Sequence, residues 1–182
     1  MKDRLIKGAF LDRDGVINDD LNYVYEKSKF VFKKGIFELL TLLSRNNYLI
    51  FIITNQSGIA RGLFTEKDYK ILTDYYLSKI NKKGINIEEV YYCPHHPKYS
   101  EAPFNNCECR KPKPGLFNKA KITYNIDMKS SLVIGDSLRD LEAGYLSGIK
   151  KRILISPEKI KSKFVTHSFK SISECTDQFL EI

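Results

Sequence analysis

Residues 10–17 read Phe-Leu-Asp-Arg-Asp-Gly-Val-Ile, and this stretch decides the fold. A short apolar run begins at Gly8 and ends at the acidic Asp12, a pattern typical of a buried β-strand that leads into a polar turn. Asp14 and Gly15 follow, and the glycine lets the chain turn sharply there. Two carboxylates this close repel each other and are costly to bury, so a fold tolerates them when a cation lies between them. The stretch therefore predicts a buried strand with a cation-binding end.

Helical and strand-like patterns alternate after this stretch. Apolar residues recur at helical spacing over residues 35–46, and the apolar run 48–53 that follows has the length of a strand. The remaining predicted helices are at about 65–83, 115–124 and 139–147, and the remaining strands are at 88–92, 131–134 and 152–155, with a weaker strand and helix after them. This alternation predicts a doubly wound α/β fold, in which helices cover both faces of a mostly parallel sheet.

Polar residues follow the predicted strands at the positions where such folds bind ligands. In a parallel sheet these positions lie together, beyond the carboxyl ends of the strands. Thr54 and Asn55 follow the second strand, and Asp136 and Asp140 follow a later one. Carboxylates are ligands that Mg²⁺ prefers, so the two acidic pairs of this sequence predict a magnesium site. Helix capping is the alternative role for Asp136.

Length and composition bound the classes of protein to which this chain can belong. The 182 residues are 42% hydrophobic and 29% charged, which indicates one globular domain over residues 1–182 with a full apolar core. The net charge of +8 is spread along the chain. This spread favours a solvated surface, with attraction of an anionic substrate as the alternative, over a nucleic-acid-binding face. The longest apolar run, 48–53, is too short for a membrane span, and residues 1–4 do not begin a secretory signal. We therefore expect a cytoplasmic protein that binds neither membranes nor nucleic acids.

Prolines, cysteines and histidines concentrate at about residues 93–110 and just beyond. Five of the six prolines lie there, so the backbone hydrogen bonds of a helix or sheet cannot hold this segment. Cys93 and His95 form one pair of soft ligands, and Cys107 and Cys109 form a second. Two such pairs suit tetrahedral zinc and predict a proline-rich zinc loop. The alternatives are a reduced loop with incidental thiols or a disulfide, although a bridge within the second pair would be strained and the cytoplasm is reducing.

Four motifs carry a resemblance to a known family. They are residues 10–17, Ile-Thr-Asn-Gln at 53–56, a lysine, and Val-Ile-Gly-Asp-Ser-Leu-Arg-Asp at 133–140. In this order they resemble the motifs of the haloacid dehalogenase superfamily of phosphohydrolases. The resemblance implies phosphoryl transfer, which needs an in-line nucleophile, charge neutralisation and a proton for the leaving group.

By this resemblance each catalytic role falls on one residue. Asp12 is the nucleophile that forms an aspartyl-phosphate, and Asp14 acts as general acid and then as general base. Mg²⁺ is expected between the carboxylate of Asp12, the backbone carbonyl of Asp14 and Asp136. Thr54 is expected to donate a hydrogen bond to the transferring group, and Lys111 to offset its charge.

Three longer motifs narrow the resemblance to one family within this superfamily. They are Thr-Asn-Gln-Ser-Gly-Ile-Ala-Arg-Gly at 54–62, Tyr-Tyr-Cys-Pro-His-His-Pro at 91–97 and Cys-Glu-Cys-Arg-Lys-Pro-Lys-Pro-Gly at 107–115. They resemble the D-glycero-D-manno-heptose 1,7-bisphosphate phosphatases, and the likeness extends over residues 10–148. It implies removal of the C7 phosphate of this sugar bisphosphate in nucleotide-activated heptose biosynthesis, with structural zinc on the four Cys and His ligands. It also implies a substrate site lined by Asp20, Tyr23, Asn55, Gln56, Ser57 and Arg110.

Two further residues of the motif at 133–140, Ser137 and Asp140, bear on how the site works. Asp140 is expected to orient Lys111 and its loop rather than to react. Ser137 departs from the family, which often has a substrate-contacting lysine at this position. The departure affects how phosphate and the sugar anomer are recognised.

The spacing of the motifs also bears on architecture and on competing functions. It leaves no room for an inserted cap domain, so we expect an open site, and we expect a monomer because no long apolar stripe is left over. A histidinol-phosphate phosphatase would share the zinc loop, and a polynucleotide 3′-phosphatase would suit the positive net charge. A non-catalytic zinc-stabilised module is the remaining alternative, and the presence of Asp12 and Asp14 argues against it.

Overall fold

A six-stranded parallel sheet runs through the part of the chain described by the computed structural model, residues 6–178. Its strands are β1 Lys7–Leu11, β2 Tyr48–Asn55, β3 Glu89–Cys93, β4 Leu132–Gly135, β5 Lys151–Ile155 and β6 His167–Phe169. Their order across the sheet is β3-β2-β1-β4-β5-β6, and every neighbouring pair is parallel. Both ends of the predicted domain, including residues 1–4 on which the predicted compartment partly rests, lie outside the described residues.

Helices connect these strands and cover the sheet. They are α1 Ile36–Arg45, α2 Glu66–Asn81, α3 Gly115–Tyr124, α4 Leu138–Leu146 and α5 Ile172–Asp177. Thr65 caps α2, and its hydroxyl and the Asp68 carboxylate form a reciprocal capping box, which explains why the helix begins there. The helices and strands predicted from the sequence pattern are confirmed, with ends that agree within two residues. No helix in the described part of the chain is long and apolar enough to cross a bilayer.

Two apolar cores lie on opposite faces of the sheet because strand residues alternate between the faces. Ala9 and Leu11 of β1 enter the core that α1, α2 and α5 cover, whereas Phe10 between them enters the core that α3 and α4 cover. Cys175 is fully buried in the first core, where it packs as a small apolar side chain. The predicted doubly wound α/β fold is therefore confirmed.

The parallel topology brings the carboxyl ends of β1, β2 and β4 to one edge of the sheet. Asp12 follows the last residue of the central strand, and Asp136 follows the last residue of its neighbour β4. β2 runs two residues further than predicted, so Thr54 and Asn55 are its last residues rather than part of a turn. Between β1 and α1 the chain forms isolated bridges and one short 3-10 helix, Lys27–Lys29.

Candidate active site

Asp12 lies at the end of the central strand with a buried lysine against its carboxylate. The backbone N–H of Asp12 donates to the Ile134 carbonyl (3.0 Å), which holds the end of β1 beside β4. Lys111 Nζ is 3.0 Å from Asp12 Oδ1 and 2.7 Å from Asp140 Oδ1. It also donates to the Ile53 carbonyl at 2.6 Å. Because the side chain of Lys111 is only 1% exposed, these two carboxylates supply its countercharge.

Burial governs the charges in this cluster. It raises the pKa of Asp12 to about 8, with the charge of Lys111 acting in the opposite direction and that of Asp140 adding to the rise. Burial also raises the pKa of Asp136 to about 6, and Asp140 adds to this rise as well. Burial lowers the pKa of Lys111, but Asp12 and Asp140 outweigh it and the net shift is upward. If all three acids were ionised, their negative charge would exceed the single charge of the lysine, and a second cation would favour that ionised state.

The carboxylate of Asp14 is held by three side chains that orient it. Arg13 Nη2 is 2.6 Å from each of its oxygens, and the amides of Asn18 and Gln56 each donate to it at 3.0 Å. Arg13 is fully buried and donates to the Val24 carbonyl as well. Sequence reasoning missed Arg13, because an arginine between two acids in a turn has the pattern of a solvated charge. Its position between Asp12 and Asp14 was the available signal.

The end of β2 supplies both a cavity wall and a clamp for the lysine. Thr54 is buried, and its Oγ1 accepts from Gln56 Nε2 at 2.7 Å. The side-chain amide of Asn55 makes two hydrogen bonds of 3.1 Å with the backbone of Lys111. Asn55, predicted to bind substrate, therefore uses both its amide atoms to position the segment that carries the lysine.

A cavity of about 340 Å³ opens above Asp12 and Thr54. Its walls include all the residues predicted to bind substrate, namely Asp20, Tyr23, Asn55, Gln56, Ser57 and Arg110. They also include Asn22, Arg61 and Arg139, which were not predicted. Lys111 is not one of the walls, since it lies buried beneath Asp12. The predicted site residues thus come together around one polar cavity.

Asp136 approaches the turn that follows Asp14, and a glycine makes the approach possible. Gly15 has φ +83°, and a Cβ at this position would collide with the Asp136 carboxylate. The interpretation of Asp136 as a helix cap is wrong. Ser137 caps α4 instead, and Asp140 completes the box by accepting from the Ser137 N–H (3.1 Å) and hydroxyl (2.6 Å). Asp136 is therefore available to a ligand.

These acids fit a divalent cation. One oxygen each of Asp12, Asp136 and Asp140 lie within 4.8 Å of one another. Hard oxygen donors with an excess of negative charge are the donor set that Mg²⁺ takes. Asp140 is already engaged by Lys111 and Ser137, which leaves more ligand capacity on Asp12 and Asp136, the two carboxylates that the sequence predicts as Mg²⁺ ligands. The Asp14 side chain is outside this group.

The four residues predicted to bind zinc form a second cluster at the end of β3. Cys109 Sγ is 3.0 Å from Cys93 Sγ, 3.2 Å from Cys107 Sγ and 3.3 Å from His95 Nδ1. All four ligand atoms lie within 4.8 Å of one another, and the thiols are free. The His95 ring stacks on Phe104 at 4.7 Å, which orients the imidazole. The three sulfurs and one nitrogen have the composition and spacing of a tetrahedral metal site.

Comparison with known proteins identifies relatives that span nearly the whole chain. The model of the family described as "Polynucleotide kinase 3 phosphatase" matches residues 11–166. A Campylobacter jejuni protein named D-glycero-alpha-D-manno-heptose-1,7-bisphosphate 7-phosphatase is 46% identical, over 96% of this chain and 96% of that protein. A Vibrio cholerae protein named D-glycero-beta-D-manno-heptose-1,7-bisphosphate 7-phosphatase is 42% identical, over 83% of this chain and 82% of that protein. The structure of D,D-heptose 1,7-bisphosphate phosphatase from B. bronchiseptica, complexed with magnesium and phosphate, has a TM-score of 0.83 and 26% identity, over 97% of this chain and 99% of that chain. The resemblance stated from the motifs is confirmed.

Proposed function

Because this chain belongs to the polynucleotide kinase 3 phosphatase family and to the D-glycero-D-manno-heptose-1,7-bisphosphate 7-phosphatases, we propose that it removes the C7 phosphate of D-glycero-D-manno-heptose 1,7-bisphosphate. The products are the 1-phosphate and inorganic phosphate, for nucleotide-activated heptose biosynthesis. One observation carries the proposal: a buried carboxylate, Asp12, lies at the floor of a polar cavity within ion-pair distance of a buried lysine.

In the proposed reaction Asp12 is the nucleophile. A carboxylate oxygen of Asp12 attacks phosphorus, and the bond between phosphorus and the C7 oxygen breaks, which leaves an aspartyl-phosphate. Asp14 gives its proton to the departing C7 oxygen. Water then attacks the aspartyl-phosphate, Asp14 takes the proton of that water, and phosphate and free Asp12 are formed. The Arg13, Asn18 and Gln56 contacts keep the Asp14 carboxylate in one orientation through both proton transfers.

Charge on the phosphoryl group is offset by groups that the fold holds in place. Lys111 Nζ lies 3.0 Å from the carboxylate of the nucleophile. Its ammonium group is held by the ion pair with Asp140, and its backbone by hydrogen bonds with the side chain of Asn55. The hydroxyl of Thr54 faces the same cavity and is placed to donate to a phosphoryl oxygen. Asp12, the Asp14 backbone carbonyl and Asp136 would hold Mg²⁺, which when bound supplies positive charge that favours ionised Asp12 and offsets the phosphoryl oxygens.

The Cys and His cluster would hold one structural zinc. All four tetrahedral positions are filled by protein atoms, so no position remains for a water nucleophile. Lys111 follows Cys109 by one intervening residue. A zinc ion on Cys109 would therefore fix the backbone that delivers the lysine to the active site.

We propose that residues in the walls and at the mouth of the cavity recognise the substrate. Asp20 and Tyr23 offer hydroxyl-directed contacts to the sugar, and Arg110 offers paired donors to the phosphate that is not cleaved. The primary C7 ester reaches Asp12 at the floor, whereas the C1 phosphate stays near the rim. We further propose that the protein acts as a monomer in the cytoplasm, with no nucleic-acid or membrane partner.

A polynucleotide 3′-phosphatase is the second candidate, and the description of the matching family favours it. Three substrates separate the candidates: the heptose bisphosphate, histidinol phosphate and a 3′-phosphorylated oligonucleotide, each with Mg²⁺ and with phosphorus NMR of the products. We expect the heptose bisphosphate to have the highest kcat/KM and its 1-phosphate to survive. A surviving 7-phosphate, or faster turnover of either other substrate, would overturn the proposal.

A further inference from the structure

Three arginines line the cavity, and none has a carboxylate partner within ion-pair distance among residues 6–178. They are Arg61, Arg110 and Arg139. Arg110 lies close enough to the other two that their charges, after burial, lower its pKa. Three guanidinium groups at one cavity, none of them in an ion pair, favour the binding of an anion beside them, although four aspartates also line the cavity. The three guanidinium groups differ in how many of their N–H donors are free.

Arg61 and Arg110 are partly committed to the protein itself. Arg61 Nη2 is 3.0 Å from His96 Nε2, and its guanidinium lies 4.4 Å from the Tyr99 ring centroid. These contacts join the turn after β2 to the segment after β3. Arg110 Nη1 donates to the His95 carbonyl at 3.2 Å, next to the Cys and His cluster. Both side chains therefore have structural contacts that account for part of their donor capacity.

Arg139 has a single hydrogen bond within the described chain, and it leaves the outer donors free. Its Nε donates to the Ser137 hydroxyl at 3.1 Å, and that hydroxyl is itself held by Asp140. Both terminal nitrogens of Arg139 lack a hydrogen-bond partner in the described residues. Ser137 thus holds the Nε side of the guanidinium and leaves the paired terminal N–H groups free at the cavity.

Opposing charges act on Arg139 in the free protein. It is the second residue of α4, whose N-terminal end carries partial positive charge, so a cation there is unfavourable. Arg110 repels it as well, whereas Asp136 and Asp140 attract it. Because these interactions oppose one another, we expect Arg139 to contribute little to the stability of the free protein.

We propose that Arg139, supported by Ser137, binds the phosphate that is not hydrolysed and thereby makes the enzyme selective for bisphosphates over monophosphates. The inference rests on the proposed function, because it assumes a substrate with a second phosphate. The paired terminal N–H groups match two phosphate oxygens, which a lysine ammonium cannot do. Arg139 acts here together with Arg110, which lines the same cavity.

The test compares kcat/KM for heptose 1,7-bisphosphate and heptose 7-phosphate in Arg139→Ala, Arg139→Lys and Ser137→Ala. We expect Arg139→Ala to lower the bisphosphate value about 10- to 100-fold, as expected for loss of a charge-assisted hydrogen bond, and the monophosphate value far less. Arg139→Lys should recover only part of the preference, and Ser137→Ala should lose a smaller part of it. Arg45→Ala, which removes an exposed arginine at the end of α1, is the matched control.

Thermal melting of the ligand-free variant gives a second readout. A merely structural Arg139 would make Arg139→Ala clearly less stable, whereas the proposal predicts a Tm close to that of the wild type. An equal loss on both substrates, no loss on either, or a clearly lower Tm of the ligand-free variant would overturn the inference. If the wild type ignores the heptose bisphosphate but prefers fructose 1,6-bisphosphate to fructose 6-phosphate, and Arg139→Ala removes that preference, the proposed sugar is wrong and the role of Arg139 stands.

Discussion

Replacement of Asp140 by asparagine should lower both stability and turnover, although Asp140 is not one of the residues that line the cavity. Asp140 is 1% exposed, forms an ion pair with Lys111 (2.7 Å) and accepts from the N–H and hydroxyl of Ser137. All of these partners are donors. The amide of asparagine must therefore turn its NH₂ toward at least one donor, and the buried Lys111 loses one of its two countercharges.

The magnitude follows from the cost of breaking a buried ion pair. Removing one partner typically costs about 3–5 kcal/mol, and asparagine keeps the shape and one acceptor, so we expect about 3 kcal/mol. For a domain of this size about 3 kcal/mol corresponds to a Tm lower by about 6–12 °C. Because Lys111 then loses one of the two carboxylates that fix its position, kcat should fall by at least about tenfold while KM changes little.

Asp140 also belongs to the acidic cluster, so its replacement could act through Lys111 or through metal binding. Measuring Tm in EDTA and in Mg²⁺ distinguishes the two effects. The lower Tm of Asp140→Asn should be present in EDTA, where no metal is bound. Glu142→Gln on the same helix makes the same chemical change at a half-buried acid that has no ion pair among the described residues, and it should melt like the wild type. A Tm of Asp140→Asn within about 2 °C of the wild type, with kcat retained, would refute the assigned role of this ion pair.

Three further outcomes test the metal and nucleophile assignments. Asp12→Asn should abolish turnover with the fold intact by circular dichroism, and wild-type activity in this variant would exclude the covalent mechanism. Metal analysis should find about one zinc per chain. Cys109→Ser should lower both zinc content and activity, while Cys175→Ser keeps its zinc; a zinc-free preparation of normal stability and activity would contradict a structural zinc. Gly15→Ala should lower Mg²⁺ affinity and cost about 1–3 kcal/mol of stability. The control Gly84→Ala should cost less, because Gly84 shares the positive φ but has open space around it. Equal effects of the two substitutions would show that the collision with Asp136 is unimportant.

The fold could be predicted from sequence because its signals are local. A strand buried on both faces, such as residues 48–53, is a continuous apolar run, and a helix start such as Thr65 with Asp68 is encoded within four residues. The strand order could not be read in the same way. The pairing of β1 with β4 joins residues far apart along the chain, and no local pattern encodes it.

The catalytic motifs were recognisable, but their supporting contacts were not. Ser137 looked like a loss of a substrate contact, whereas in the structure it caps α4 and supports Arg139. Arg13 looked solvated and is fully buried. Asn55 looked like a substrate ligand and clamps the backbone of Lys111. Each of these roles depends on a partner brought close by tertiary folding, so sequence spacing alone could not predict it.

The central position of β1 has a consequence for how the chain becomes active during its synthesis. Gly8 at the start of this strand bonds to Ser131 beside β4, 123 residues later. At about 5–20 residues per second, a ribosome needs about 6–25 s to supply that partner. Until then one edge of β1 is unpaired and open to other chains, and Asp12 lacks its neighbour Asp136. Synthesis that stops before β4 should therefore yield a chain that is inactive and prone to aggregate, so activity requires that β4 has paired with β1.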